Sequence, residues 1–375
     1  MNGVQQLLDD QKQEFKSKNM NQGKPFESSK KNQSNQNSPI FTKYCSNSIS
    51  SKSNNNNLSY LKNDGSVSKM LSQTMAYSDK PLNYSKLNEK PNGSENKKVE
   101  KQVKSQYQRY IKRNDDRRLR VCNVLKDLSS NTSELRNVED QYKYYVREIE
   151  DKSALYKNYS LNFQNKAIVG KICNAFLQVR GDGNCFYTAF GFQFLYHLLF
   201  SYSDEEFDQF IKKILDQQIS FGIKYARKQI DDKETQKICL EEFIYLIEDL
   251  RQERQEERFE KFRQRFANWK INENGDGFLY CLQTIFFRNL SYLYLEKSDF
   301  KDIVLDKENL LIWEEECNTN EVIIKLLAQE LKIHTKLLFL DNEISIMEYE
   351  EENKNTIILL IKPGHYNIGW NIKEQ

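Results

Sequence analysis

The sequence predicts an α+β fold from three observations: a break in composition, helical periodicity in the middle of the chain, and short apolar runs near its end. Apolar residues become dense from about Gln141 and stay dense to the C-terminus. Residues 207–215 repeat them at helical spacing, whereas residues 336–340 and 356–361 are short apolar runs typical of buried strands. Helices followed by strands indicate one α+β domain of about 235 residues.

Helical elements come first along this domain. Ser203 and Glu206 form a capping box in front of the first of them. Residues 243–250 repeat the same apolar spacing, and their charged continuation at 251–265 is interpreted as a solvated helix face. A last helix is predicted after Glu321, ahead of the two strand-like runs.

Residues 1–100 differ in composition from the rest of the chain. They are rich in Asn, Ser, Gln and Lys, and their apolar residues are isolated. Such a segment cannot bury enough surface to offset the entropy lost on ordering, so a disordered arm is predicted, with a docking arm as the alternative. The predicted organisation is therefore an arm at 1–100, a basic and helical linker at 101–139, and an α+β domain at 140–375.

A strongly basic stretch spans residues 97–120, with Tyr107, Tyr110 and Ile111 among its charges. Basic residues with interleaved aromatic residues can grip RNA. A solvated helical segment is the preferred interpretation, and a helix that binds a protein partner is a third. The net charge of the whole chain, +2, likewise points to neither nucleic acid nor a membrane as a partner.

Cysteine and histidine usage bounds the chemistry. Seven cysteines are scattered without a Cys-x-x-Cys pair and only three histidines occur, so neither a metal site nor a cofactor is expected. Scattered cysteines suit a reducing compartment. Residues 1–30 lack the apolar core of a signal peptide, and the apolar residues 186–200 are too few for a membrane span of about 20 residues. A cytoplasmic protein is expected, and the basic stretch leaves entry into the nucleus open.

The sharpest local feature is the segment 181–187, which reads Gly-Asp-Gly-Asn-Cys-Phe-Tyr. Two glycines and an Asp/Asn pair predict a tight turn, and a long apolar helix follows at once. Cys185 is thus placed at a helix N-terminus. There the helix dipole stabilises a thiolate, and free backbone N–H groups can hold an oxyanion. The alternative is an ordinary small buried cysteine at a turn.

A second feature lies far downstream, where the run 356–361 is followed by Lys-Pro-Gly-His-Tyr-Asn. His365 is predicted just past a strand end, at the rim of a sheet, where it could act as the base for Cys185. Asn367 points the same way in an extended segment, so its side-chain oxygen is expected to accept the Nδ1 proton of His365. A surface-turn histidine is the alternative. A cysteine with a downstream His-x-Asn is an arrangement open to thiol proteases.

The remaining histidines and cysteines are interpreted as structural. His197 lies inside the apolar helix after Cys185 and is expected to be a hydrogen-bonded core residue. His334 is expected in a surface turn between a helix and a strand. The cysteines that have no glycine turn beside them, and that are interpreted as packing residues, are Cys173, Cys239, Cys281 and Cys317.

Together these residues resemble the OTU cysteine proteases, and specifically the otubains. Residues 182–187, with the Ala-Phe-Gly-Phe that follows shortly after, are similar to the nucleophile motif of that family, and residues 362–366 are similar to its histidine motif. Residues 155–159 resemble the segment ahead of the otubain nucleophile, and residues 313–341 resemble the segment before the last strands. The resemblance covers roughly residues 140–375, and its motifs follow one another in the order and at the spacing that the family shows.

The resemblance implies a papain-like α+β fold, with a small central sheet between helical lobes, and hydrolysis of isopeptide bonds at the C-terminus of ubiquitin. It assigns Cys185 as the nucleophile, His365 as the general base and Asp182 as the support of the oxyanion-hole loop. The backbone N–H donors implied for the oxyanion are those of Asp182, Gly183, Asn184 and Cys185. Asn367 occupies the position that orients the histidine, where the family carries Asp or Asn. Asparagine brings no negative charge to stabilise an imidazolium.

The partners that this resemblance implies are ubiquitin, polyubiquitin chains and ubiquitinated proteins. In some otubains the N-terminal segment contacts ubiquitin or a ubiquitin-conjugating enzyme. The alternative function is therefore a non-catalytic or weakly active regulator that binds ubiquitin or a conjugating enzyme. Cys185, Asp182 and His365 together favour the enzyme, because a decayed enzyme need not keep all three.

Overall fold

The computed structural model describes residues 109–133, 138–316, 320–341 and 343–372, and the arm predicted at 1–100 lies outside these ranges. The helices within them are α1 (Asp115–Ser130), α2 (Lys152–Asn158), α3 (Phe163–Val169), α4 (Cys185–Phe200), α5 (Asp204–Gln217), α6 (Lys233–Gln252), α7 (Gln255–Ala267), α8 (Phe278–Glu296) and α9 (Asn320–Leu331). The strands are β1 (Val146–Asp151), β2 (Ala175–Val179), β3 (Ile223–Tyr225), β4 (Lys228–Ile230), β5 (His334–Leu340), β6 (Ile344–Tyr349), β7 (Thr356–Lys362) and β8 (His365–Trp370).

Six strands form the main sheet, in the order β1-β2-β8-β7-β5-β6. β7 and β5 pair in parallel, and the other neighbouring pairs are antiparallel. β3 and β4 form a separate hairpin. The strand that begins with His365 therefore lies in the interior of the sheet, between β2 and β7.

Helices cover both faces of this sheet. Along β7, Ile357 and Leu359 face the larger core, to which α4 and α8 contribute, whereas Ile358 and Leu360 face a smaller core built on α2 and α3. This alternation is the two-residue period of a strand that is buried on both faces. The predicted α+β class, with a small central sheet between helical layers, is confirmed.

The predicted helices are present, except that the stretch expected as one continuous helix at 243–265 forms two helices. The capping box starts α5: Ser203 Oγ accepts from the Glu206 N–H at 3.2 Å, and the Glu206 carboxylate accepts from the Ser203 N–H at 2.7 Å. The helical spacing of residues 243–265 is divided between α6 and α7. Across the part of the chain that the structure describes, no helix combines the length and apolarity that crossing a membrane requires.

Four of the six strands of the main sheet, β1, β2, β6 and β8, could not be inferred from local patterns. β5 and β7 are predicted, but β1 and β2 precede the long helices instead of following them, and β8 holds the predicted catalytic histidine as a strand residue. β1 reads Val-Arg-Glu-Ile-Glu-Asp, which is mixed in polarity. Such strands gain their stability from pairing with partners distant in sequence, so their own residues carry little signal.

Helix α1 is packed into the domain although it precedes the predicted boundary at residue 140. Its fully buried side chains are Val121, Cys122, Leu125 and Leu128. On α6, Glu242 is 0 % exposed and accepts from Arg117 Nε and Arg118 Nε at 2.9 Å each. The helix expected within residues 101–139 is thus present, but it belongs to the folded body and is neither a linker nor a solvated segment.

The start of the described chain is also held by acidic groups. Arg109 Nη2 lies 2.9 Å from Asp249 Oδ1, and the buried Glu248 carboxylate accepts from the backbone N–H groups of Tyr110 and Ile111 at 2.8 and 3.1 Å. Several arginines of the basic stretch therefore pair within the protein, which favours an internal structural role over RNA binding for residues 109–120. Residues 97–108 of that stretch lie outside the described ranges.

Candidate active site

Cys185 is the first residue of α4, as the Gly-Asp-Gly-Asn turn predicts. It is 2 % exposed. Asn184 precedes it as the N-cap residue, with no capping hydrogen bond from its side chain. Backbone hydrogen bonds from Phe186 and Tyr366 reach the thiol. Tyr366 directly follows His365, so this contact brings the two catalytic candidates into the same place.

Burial decides the protonation state of the thiol. Desolvation raises the pKa of Cys185 to about 12, and the nearby charges of Glu316 and Asp182 also raise it. The backbone bonds from Tyr366 and Phe186 act in the opposite direction without overcoming the rise. The direction of this shift is opposite to the lowered pKa expected for a cysteine at a helix N-terminus, because desolvation disfavours the thiolate.

His365 is the first residue of β8 instead of lying beyond a strand end. Pro363 and Gly364 form the turn from β7, and Gly364 has a φ of 73°, which position i+2 of a type II turn requires. The imidazole lies beside Gly181, where an added Cβ would be 3.8 Å from His365 Nδ1. The histidine thus faces the nucleophile loop, which we define as residues 181–185.

Asn367 orients the imidazole. Its Oδ1 accepts from His365 Nε2 at 3.1 Å and from the backbone N–H of Val179 at 2.8 Å. Its Nδ2 donates to the hydroxyl of Tyr159 at 2.8 Å. The amide is therefore held on both sides, by β2 and by Tyr159, the C-cap residue that follows α2.

These contacts determine which ring nitrogen carries the proton. The Val179 N–H can only donate, so the Asn367 atom that faces it is the oxygen. His365 Nε2 faces the same oxygen and therefore carries the proton, which leaves Nδ1, beside Gly181, as the unprotonated nitrogen. Asn367 does bind the imidazole, as expected, but the expected ring nitrogen, Nδ1, is wrong: the bond is made by Nε2. The asparagine reaches the ring nitrogen that is farther from Cβ.

The pKa of His365 is lowered from its ordinary value of 6.5, chiefly by desolvation. Hydrogen bonds with Asn367 and with the Val179 backbone, and the charge of Asp182, act to raise it. The shifts at Cys185 and His365 both disfavour charge separation. Both shifts favour a neutral thiol and a neutral imidazole in the resting site.

Asp182 braces the nucleophile loop from inside the protein. Its Oδ1 accepts from the Asn184 N–H at 2.9 Å, and its Oδ2 accepts from the Tyr280 hydroxyl at 2.6 Å. Burial raises the pKa of Asp182, against the effect of these two bonds. Because the Asn184 N–H already donates to Asp182, Asn184 is removed from the four backbone donors predicted for the oxyanion. The other backbone amides of the loop remain the candidates.

Residues 313–316 form a second loop that closes over Gly183. A Cβ added to Gly183 would lie 2.0 Å from the carbonyl oxygen of Glu314. The Glu314 carboxylate in turn accepts from the backbone N–H of Ser133, at 3.1 Å to each oxygen, and from the Ser133 hydroxyl. Ser133 follows the end of α1, so α1 is linked through Glu314 to the nucleophile loop.

Among the residues that the structure describes, the other histidines and cysteines do not join this group. His197 Nε2 lies 2.9 Å from the Thr356 carbonyl oxygen, in keeping with a hydrogen-bonded core residue. His334 is a buried strand residue whose Nε2 lies 2.8 Å from the Glu348 carboxylate, so its expected place in a surface turn is wrong. The buried cysteines away from the site include Cys173, Cys239 and Cys281. Cys317 lies outside the described ranges.

A protein-family comparison covers the whole of this site. The Peptidase C65 Otubain model matches residues 139–369, which is more than half of the chain. The chain belongs to the otubain family of peptidases. The otubain match includes Cys185, His365 and Asn367, but it begins after α1.

Solved structures similar to this otubain contain OTUB1. For the h/ceOTUB1–ubiquitin aldehyde–UBCH5B~Ub structure the TM-score is 0.45 with 12 % identity, covering 68 % of this chain and 96 % of that one. For h/ceOTUB1–ubiquitin aldehyde–UBC13~Ub the TM-score is 0.44 with 14 % identity, covering 68 % and 97 %. For the ceOTUB1 ubiquitin aldehyde UBC13~Ub complex the TM-score is 0.41 with 15 % identity, covering 64 % of this chain and 100 % of that one. No curated protein matches the chain in sequence.

Sequence reasoning assigned no role to three side chains at this otubain's site: Tyr159, which ends the family-like segment 155–159, and Tyr280 and Arg288, which lie in no motif. Each lies far in sequence from the residue that it contacts, so spacing could not reveal it. The one local signal belongs to Arg288, which interrupts the apolar run of α8. A charged residue inside an apolar helical run is buried only when it has specific partners.

Proposed function

We propose that this otubain is a thiol-dependent deubiquitinase. It hydrolyses isopeptide bonds at the C-terminal glycine of ubiquitin, on conjugated proteins and within polyubiquitin chains. Membership of an otubain peptidase family supports the reaction class. The observation that carries the proposal is the placement of His365 Nδ1 beside Gly181, in the loop that leads to Cys185 at a helix N-terminus, while Nε2 is bonded to Asn367.

The proposed reaction begins from the neutral pair. His365 Nδ1 takes the thiol proton as Cys185 Sγ attacks the carbonyl carbon of ubiquitin's terminal glycine. The tetrahedral intermediate places its negative charge on oxygen, where backbone N–H groups of the nucleophile loop donate to it. The imidazolium then protonates the departing lysine nitrogen as the carbon–nitrogen bond breaks, which leaves a thioester.

Water completes the cycle. His365 Nδ1 takes a proton from water as the water oxygen attacks the thioester carbon. The carbon–sulfur bond breaks and His365 returns its proton to Cys185 Sγ. The ubiquitin C-terminus leaves as a carboxylic acid, which loses its proton to solvent to become the carboxylate. Asn367 keeps the Nε2 proton in place throughout, so the imidazole presents the same nitrogen in both halves of the reaction.

A ubiquitin that carries a C-terminal electrophile tests the nucleophile. We expect a covalent adduct on Cys185, located by mass spectrometry, and no adduct with Cys185→Ala. Cys173→Ala is the matched control at another buried cysteine, and it should form the adduct as the wild type does. Unchanged adduct formation by Cys185→Ala would refute the assignment.

A second candidate is a non-catalytic or weakly active regulator that binds ubiquitin or a ubiquitin-conjugating enzyme. Two observations favour it: Cys185 is almost completely buried, and Asn367 adds no charge to stabilise an imidazolium. Turnover of di-ubiquitin separates the two functions. Many cleavage events per enzyme molecule support the deubiquitinase, whereas cleavage only at stoichiometric enzyme together with tight ubiquitin binding supports the regulator.

The proposed partners are therefore ubiquitin, polyubiquitin chains and ubiquitinated proteins, with a conjugating enzyme added if the regulator is correct. The proposed location is the cytoplasm, with the nucleus as the second location because of the basic stretch. Microscopy of the full chain carrying a fluorescent tag, compared with a variant whose basic residues at 97–104 are neutralised, tests the nuclear contribution.

A further inference from the structure

Helix α8 contacts both halves of the nucleophile loop. Tyr280, in its first turn, donates its hydroxyl hydrogen to Asp182 Oδ2 at 2.6 Å. Arg288, about two turns further along, donates to Asn184 Oδ1 from Nε at 3.0 Å and from Nη2 at 2.7 Å. One rigid helix therefore carries two polar side chains that reach the same five-residue loop.

Arg288 is fully buried, and its remaining donors are directed at backbone carbonyls. Nη2 donates to the Gly183 carbonyl at 3.2 Å and to the Glu315 carbonyl at 2.9 Å, and Nη1 reaches the Asn309 and Leu310 carbonyls at 3.2 and 3.4 Å. A planar guanidinium can satisfy acceptors on several sides at once, which a lysine ammonium on a flexible stem cannot do in one geometry. Arg288 thus joins the nucleophile loop to the segment that closes over it.

The peptide unit between Gly183 and Asn184 is held at both ends. Its carbonyl accepts from Arg288, and its N–H donates to Asp182, which Tyr280 in turn holds. A peptide held at both its oxygen and its N–H cannot rotate without breaking buried hydrogen bonds. The orientation of this unit sets the directions of the adjoining amides, which are the oxyanion donor candidates.

We propose that Tyr280 and Arg288 are positioning residues of the reaction: they lock the Gly183–Asn184 peptide so that the free amides of the nucleophile loop face the developing oxyanion. This inference rests on the proposed deubiquitinase function. Oxyanion donors stabilise the transition state only if they are already oriented when charge develops. Neither side chain touches the reacting atoms, so the effect acts through the loop.

The variant Tyr280→Phe tests this inference, because it removes one hydroxyl and keeps the ring. Tyr294→Phe is the matched control, since it changes a buried tyrosine on the same helix away from the loop. Three quantities are measured for each: kcat on di-ubiquitin, the dissociation constant of free ubiquitin, and the inhibition constant of ubiquitin aldehyde, whose tetrahedral adduct places oxygen at the oxyanion position. Arg288→Lys is a second test variant, which keeps the charge and loses the planar donors.

We expect Tyr280→Phe to lower kcat by about 10-fold or more, within the ~10²–10³ that one oxyanion donor supplies. The inhibition constant of ubiquitin aldehyde should rise by a similar factor. Ubiquitin affinity should stay within twofold of the wild type, and Tyr294→Phe should leave all three quantities unchanged. If Tyr280→Phe matches Tyr294→Phe in kcat and in aldehyde inhibition, the positioning role is overturned even if its melting temperature falls. A wild type that does not turn over di-ubiquitin overturns the proposed function itself, before any variant is compared.

Discussion

At the scale of single residues, the side-chain amide of Asn367 controls the chemistry of its neighbour. Its oxygen binds two donors, the Val179 N–H and His365 Nε2, and its nitrogen donates to Tyr159. The histidine therefore has one productive tautomer, although Asn367 itself carries no charge. Burial lowers the pKa of His365, against the hydrogen bond with Asn367 and the charge of Asp182, which act to raise it.

The variants Asn367→Ala and Asn367→Asp test this assignment through the pH dependence of kcat/KM. Because the pKa of His365 is lowered, its unprotonated form persists below pH 6.5, and the acid limb of the wild type should lie below that value. Asn367→Asp adds a negative charge that favours imidazolium, so the pKa should rise and the acid limb should move to higher pH, with activity retained or raised. Asn367→Ala removes the orienting bond and should lower kcat/KM by at least about 10-fold.

Asn371, which directly follows β8, is exposed and donates to the Ile172 carbonyl at 3.1 Å, so Asn371→Ala serves as the control and should follow the wild-type profile. If Asn367→Ala also follows that profile at every pH, Asn367 does not orient the histidine.

Gly183 gives a second prediction at this scale, with Gly364 as its control. Both have left-handed backbone, with φ of 79° and 73°, where an L-residue costs about 1–2 kcal/mol. Only Gly183 also faces a backbone atom, the Glu314 carbonyl, at 2.0 Å from an added Cβ, whereas Gly364 has open space within 4 Å. Gly183→Ala should therefore shift the nucleophile loop, and a shift of about 1 Å lowers kcat/KM by on the order of 100-fold.

Gly364→Ala should lower the melting temperature because of backbone strain, but it should lower kcat/KM less than Gly183→Ala does. The measurements are thermal unfolding and di-ubiquitin turnover. Equal losses of turnover in the two variants would contradict the predicted contact between Gly183 and Glu314.

At the scale of elements, α1 is attached to α6 by buried charge in addition to apolar packing. Glu242 is fully buried between Arg117 and Arg118, and both arginines lie close to the ring of Tyr245. A buried ion pair adds little net stability when it is complete, but removal of one partner leaves an uncompensated charge. This arrangement makes the attachment of α1 sensitive to a single side chain.

Glu242→Ala should therefore destabilise the folded protein by about 3–5 kcal/mol, measured by urea unfolding. Its neighbour Glu241 lies 3.7 Å from Arg117 and is 29 % exposed, so Glu241→Ala should cost at most about 1 kcal/mol. The two substitutions remove the same carboxylate chemistry from adjacent positions on one helix. Similar losses in both variants would show that α1 is held by its apolar side chains alone.

At the scale of the whole molecule, the site is closed in this structure. Cys185 is 2 % exposed, and the loop 313–316 lies against Gly183. That loop is held from one side by Arg288 and from the other by Ser133, beyond the end of α1. Ser133, which precedes the otubain match, is thus linked to the nucleophile loop through its hydrogen bonds to Glu314.

This closure predicts slow alkylation of Cys185 by iodoacetamide in the free protein at pH 7, because the thiol is buried and its pKa is raised to about 12. Ser133→Ala removes one of the bonds to the Glu314 carboxylate and should speed the alkylation several-fold. Ser130→Ala is the control, since that hydroxyl bonds within α1. Alkylation sites are assigned by mass spectrometry. A rate in the wild type equal to that of an unfolded thiol would contradict the closed site.

The residues of the sequence by themselves determined several helices, among them those that begin at Cys185 and after Ser203, together with the two apolar strands and the catalytic candidates. Helices α2, α3 and α8 were not predicted from the sequence. Helical periodicity and the Ser203–Glu206 box are local, and so is the turn that starts a helix at Cys185. Local patterns report what a residue's near neighbours decide, such as a helix cap or a tight turn. For the same reason the family resemblance, which rests on short motifs, is confirmed by the Peptidase C65 Otubain match.

Only the tertiary structure decided which atoms act and in which charge state. The choice of Nε2 for Asn367 depends on the Val179 N–H, which lies 188 positions away in sequence. The neutral resting thiol depends on how completely the fold excludes water from Cys185. The roles of Tyr280 and Arg288 depend on where α8 docks. Hydrogen-bond direction and desolvation act over a few ångströms in space, so residues remote in the chain determine them, and no local pattern contains them.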